Sequence, residues 1–83
     1  MMVVGALGTM VVKLLEHRAV KDVTFAAVEG GDGEVKYLSC VVTFKEKVTP
    51  AALDLVMKIC ETGGFEFLVM HDERTAEFIK GEV

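Results

Sequence analysis

Eighty-three residues, 52% of them hydrophobic, make one domain, 1–83, with a modest core. Thirteen acidic residues against nine basic ones leave a net charge of -4, without the basic stripe that would favour nucleic acid or an anionic membrane as partner. The most apolar N-terminal stretch, residues 1–12, is about half the ~20 residues needed to cross a bilayer, and it lacks the basic start and small-residue cleavage site of a signal peptide.

In chain order, residues 1–7 are expected to form a short strand broken at Gly5, because a strand there completes a topology. Val11, Leu14 and Leu15 face one way with Lys13 and Glu16 outward, a short helix capped by Thr9. Val23, Phe25 and Ala27 then alternate with Asp22, Thr24 and Ala26, the period of a strand with one buried face. Glu29-Gly30-Gly31-Asp32-Gly33-Glu34 follows as a hairpin turn, since glycine takes positive φ at no steric cost. The next strand places Leu38, Cys40, Val42 and Phe44 on one side and Val35, Tyr37, Ser39, Val41 and Thr43 on the other. Both sides are fairly apolar, as a central strand requires.

Thr49-Pro50 opens the second helix: threonine caps, and proline suits the first helical position. Leu53, Val56, Met57 and Cys60 form its buried stripe, Asp54 and Lys58 an i,i+4 pair outside, and Gly63-Gly64 its stop. Phe65, Phe67 and Val69 alternate in a third strand. Beyond it two readings stand. Asp72 caps a final helix in which Ala76, Ile79 and Val83 share a face, the favoured one, or residues 74–79 pair back on 65–70 as a hairpin.

Strand, helix, hairpin, helix, strand is a split βαβ order, so the expected fold is an α+β ferredoxin-like sandwich (βαββαβ). It has an antiparallel sheet, both helices on one face, and a C-terminal extension. The carrying residues are Val20-Lys21-Asp22-Val23-Thr24-Phe25, Val41-Val42-Thr43-Phe44, Lys47-Val48-Thr49-Pro50 with Leu53, and Gly63-Gly64-Phe65-Glu66. On these residues about two thirds of the chain resembles the heavy-metal-associated domains, at the level of fold. The resemblance implies a soft-metal site in the loop before the first helix. Here that loop reads Gly5-Ala6-Leu7-Gly8-Thr9-Met10 and lacks the family's Cys-x-x-Cys, so a copper-carrier role does not transfer.

Two ligand clusters are candidates. The carboxylates of Glu29, Asp32 and Glu34, with Glu61 at the same end of the molecule, would suit a hard cation, calcium; a solvated acidic turn is the favoured alternative. His17, His71, Asp72 and Glu73 could converge as zinc or nickel ligands. Arg18, Lys45 and Lys47 are expected at the same edge, where pairing with those acids as a surface charge cluster is the favoured reading. Cys40 and Cys60 read as small core residues rather than a redox pair, and they fit a reducing, cytoplasmic setting. Ser39 stands in mid-strand, with no histidine near it in sequence, and the glycine turn opens no helix for a phosphate. The expectation is a non-enzyme without a resident cofactor.

The sheet face away from the helices is expected to expose Thr24, Ala26, Val28, Tyr37, Val41, Leu68 and Met70, more apolar than bare water favours. Either the C-terminal segment folds over it with Ala76, Phe78 and Ile79 or a second copy does. Tyr37, Val41, Leu68 and Met70 are the candidate binding residues. The chain reads as a small interaction module that forms a homo-oligomer or binds a protein partner through this face. Calcium binding is the alternative.

Overall fold

The structure, a computed structural model, describes residues 2–33 and 35–81, with side chains described for 8–27, 29–33, 37–66 and 68–80. Its elements are α1 (Met2–Glu16), β1 (Val20–Glu29), β2 (Val35–Phe44), α2 (Pro50–Glu61), β3 (Phe67–Asp72) and β4 (Thr75–Gly81). The four strands form one antiparallel sheet in the order β1-β2-β4-β3. The architecture is α+β with two helices and a four-stranded antiparallel sheet, as expected, but the element order is αββαββ.

Both ends depart from the favoured reading, the C-terminal one by forming the alternative hairpin, and the two departures are linked. Residues 2–7 belong to α1 rather than to a strand. Residues 75–81 form β4, paired with β2 on one side and β3 on the other, so the final helix does not form. Val83, assigned to that helix, lies outside the described residues. The expected arrangement put the first strand in the sheet centre beside the long strand at 35–44. β4 fills that slot from the opposite end of the chain. With it filled, residues 2–7 have no central edge to pair with, and their methionine, valine, alanine and leucine continue the helix that follows.

The core lies on one side of the sheet. Met10 and Leu14 of α1 and Val56 and Cys60 of α2 pack on Cys40, Val42 and Phe44 of β2, Ala76 and Phe78 of β4, Val20 and Phe65. Among the described side chains of α1, Met10 and Leu14 are the buried ones; Val11 is half-buried and Leu15 exposed, against the expected set. The second helix follows the expected pattern closely. Thr49 caps it, accepting from the Ala52 N–H at 3.2 Å. Its far end closes with Gly64 N–H on the Glu61 carbonyl and Phe65 N–H on the Cys60 carbonyl, a Schellman-type stop. Gly64 sits at φ +90, where a side chain is strained. Gly63 is buried, and a Cβ there would meet the Met10 sulfur at 2.6 Å, so the missing side chain lets α1 approach the end of α2. At the first hairpin Gly33 takes φ +85 and its N–H bonds the Gly30 carbonyl at 3.1 Å.

The register predicts a sharp contrast within the last strand pair. Phe78 is 2% exposed while Val69, across the hairpin, is 43% exposed. Phe78→Ala should cost about 3–5 kcal/mol in urea denaturation, because it removes a large core side chain and leaves a cavity, and Val69→Ala should cost under about 1 kcal/mol. Equal costs at the two positions would contradict this register.

Candidate functional site

The helix-free face of the sheet is set by strand parity. Paired residues share a face, so one row across the four strands reads Thr24, Val41, Glu77, Val69 and the next reads Ala26, Ser39, Ile79. The side chains of Val28 and Phe67, which fall in these alternations, lie outside those described. Tyr37 and Val41 sit on this face and are half-buried. Leu68 and Met70 do not: Leu68 pairs with buried Phe78 and Met70 with buried Ala76, so both point to the helix side. The expected alternation of Phe65, Phe67 and Val69 fails because Phe65 precedes the strand and turns into the core beside Phe25, their ring centres 6.1 Å apart.

A polar string crosses the centre of this face. Ser39 Oγ donates to Glu77 Oε2, and the other oxygen of Glu77 meets His71 Nε2 at 2.7 Å. The Ser39 hydrogen bond first, then the His71 contact, hold the Glu77 carboxyl below its ordinary range. Serine, glutamate and histidine in contact invite comparison with a catalytic triad, but the order is wrong. There the histidine stands between nucleophile and carboxylate; here the carboxylate stands between. Ser39 is also only 3% exposed, which shields its hydroxyl from a substrate. The arrangement ties β2, β4 and β3 together and gives an otherwise costly carboxylate its partners. Reading the C-terminal segment as a helix concealed Glu77. The signal was there as period two, with Thr75, Glu77 and Ile79 against Ala76 and Phe78.

The carboxylate candidates for calcium are distributed as follows. Glu29 ends β1 and is exposed, Asp32 lies in the hairpin turn, and Glu61 is exposed at the end of α2. Glu34 lies outside the described residues. Among the described residues, no three His, Cys, Asp or Glu side chains come together in a way that could hold a metal ion.

The second cluster is also separated. His17 Nδ1 accepts the Ala19 N–H at 3.1 Å and shapes the turn into β1. His71 is committed to Glu77. Asp72 accepts from the Arg74 N–H at 2.7 Å and from Thr75 Oγ1, and the Arg74 bond leads in holding its carboxyl below the usual range. Asp72 therefore does what was expected of it, satisfying N–H groups just ahead in sequence, but in a strand turn rather than at a helix start. Arg18, Lys45 and Lys47 form no ion pair among the described residues, so the expected charge cluster does not assemble.

Cys40 and Cys60 are both free and buried. The Cys60 thiol donates a hydrogen bond to Cys40, and that bond, then burial, pushes Cys60 far up. The same bond holds Cys40 down, against its burial, but both sulfurs are shut away from solvent, unlike a reactive cysteine. No helix among the described residues is long and apolar enough to cross a membrane.

Two measurements check these assignments. The folded-state pKa of Glu77 is depressed, so the stability it contributes is fully present above the usual glutamate value of about 4.3 and is lost as pH falls below it. Melting temperature should therefore drop on acidification, and Glu77→Gln should flatten part of that drop; identical pH profiles for the two proteins would contradict the string. Neither cysteine should react with an aromatic disulfide reagent until denaturant is added, and fast labelling of the folded protein would contradict their burial. No protein-family model, curated protein or solved structure matches the chain, and the element order αββαββ departs from the one on which the resemblance to heavy-metal-associated domains rests.

Proposed function

We propose that the protein is a small non-catalytic interaction module that self-associates through the helix-free face of its sheet. The observation that carries this reading is the position of residues 75–81. They form a strand inside the sheet, and a strand of the sheet cannot also fold over its face. That placement argues against the described tail as the cover and so supports a second copy in that role. Both helices pack on the opposite side, and the rows Thr24, Val41, Glu77, Val69 and Ala26, Ser39, Ile79 are mostly small or apolar.

A two-fold dimer brings the same patch of each copy together, and two such sheets pack about 10 Å apart. The Glu77 carboxylate already accepts from Ser39 and meets His71, so its desolvation at such an interface would be partly offset in advance.

Size exclusion with light scattering across a concentration series tests the proposal. The wild type should shift from monomer to dimer as concentration rises. Ala26→Arg and Val41→Arg, on the face, should shift the midpoint by about tenfold or more, since an unpaired buried charge is costly. Leu55→Arg, on the exposed side of α2, should leave it unchanged. A wild type that stays monomeric throughout, or a dimer broken only by Leu55→Arg, overturns the reading.

A further inference from the structure

Three turns meet at the end of the sheet where α1 stops and α2 begins. The segment at 45–48 is pinned from both sides: Lys45 N–H bonds the Ala19 carbonyl at 2.9 Å, and Val48 N–H bonds the Glu73 carbonyl at 2.9 Å. Just before it, Phe44 N–H bonds the Arg74 carbonyl at 2.7 Å. Along this segment lies a pocket of about 280 Å3. Its walls include Ala19, Phe44, Val48 and Ala52, which are buried or half-buried. Arg18, Lys45 and Lys47 also line it and are exposed, with Glu46 the one acid among the lining residues. The chain as a whole carries -4, yet these three cations gather at one pocket and form no ion pair among the described residues.

We propose that this pocket is a binding site for a small amphipathic anion, a carboxylate carried on an apolar body. The apolar walls take the body and the cations hold the charge. Neither half suffices: a bare inorganic anion leaves the walls wet, and an uncharged apolar molecule leaves three cations facing no partner. The volume lies at the lower edge of the roughly 300–1,000 Å3 typical of ligand pockets, so the ligand is small, on the order of ten non-hydrogen atoms, with a Kd of about 1 mM or tighter. Because the walls are held by backbone hydrogen bonds rather than by the ligand, little ordering is needed on binding.

The probe is octanoate, titrated into the full chain and followed through backbone amide chemical shifts. Saturable shifts are expected at Ala19 and across residues 45–49 and 51–52. Octanol, the same body without the charge, and inorganic phosphate, a charge without the body, should each bind at least about tenfold more weakly. The double variant Lys45→Glu, Lys47→Glu should weaken octanoate binding by about tenfold or more, with Arg18→Glu as an independent second variant; all three side chains are exposed, and unchanged melting curves would show that the fold is kept. The Ala26→Arg variant should bind octanoate as the wild type does, so failure of the dimer reading and failure of this one are distinguishable. The proposal is overturned if octanoate produces no saturable shift, if the shifts map to the helix-free sheet face, if phosphate or octanol matches octanoate, or if the charge-reversed variants bind as the wild type does.

Discussion

The antiparallel pairing of β2 with β4 is the constraint on which the rest of the structure depends. It joins the middle of the chain to its end, with Cys40 opposite Phe78 and Val42 opposite Ala76. All four side chains are essentially removed from water on the helix side, so the seam is at once the centre of the sheet and the floor of the core. Met10 and Leu14 from one helix and Val56 and Cys60 from the other join the same cluster. Burial of apolar surface gives this arrangement its free energy, at roughly 25 cal/mol per Å2. The ladder bonds give it direction.

The same pairing makes the two faces of the sheet unlike. On the helix side the residues of β2 and β4 enter the core. On the other side parity puts Ser39 and Glu77 close enough to bond, and the bulge between Met70 and Asp72 lets His71 reach the same carboxylate. An acid in the middle of an apolar face is costly unless its oxygens are engaged. Here both are, by neighbours on two different strands. The face is therefore polar at one internally satisfied point and weakly polar or apolar around it.

The ends of the sheet differ as well. One carries the glycine hairpin turn, where Gly33 at φ +85 sets the reversal. The other gathers the turn after α1, the lead into α2 and the turn between β3 and β4, stitched together by backbone hydrogen bonds. The bonds from Phe44 and Val48 exist because β4 lies beside β2 and brings residues 73–74 up to residues 44–48; the bond from Lys45 to Ala19 exists because β1 pairs with β2. Arg18, Lys45 and Lys47 come to one place along that segment, while two nearby acids are engaged elsewhere. Asp72 turns to its own hairpin, and Asp54 pairs with Lys58 on α2 at 3.3 Å.

What the sequence determined by itself is whatever short-range chemistry settles. The first hairpin, the inward side of β2, the Thr49 cap and the glycine stop of α2 all follow from residues a few positions apart, through period two, cap geometry and positive φ, whereas the face of β1 expected to be buried leaves Phe25 and Ala27 exposed. The two ends of the chain were decided only by tertiary structure. Residues 1–7 contain good helix formers and β-branched residues alike, and Asp72 serves a helix cap and a strand turn with the same oxygen, so local rules leave both open. Strand pairing closed the question, because a sheet has one central slot beside β2 and residues 75–81 occupy it. From that followed what the sequence did not reveal: Leu68 and Met70 face the helices, and Glu77 links Ser39 to His71. Residues far apart in sequence meet only once the register between strands is fixed.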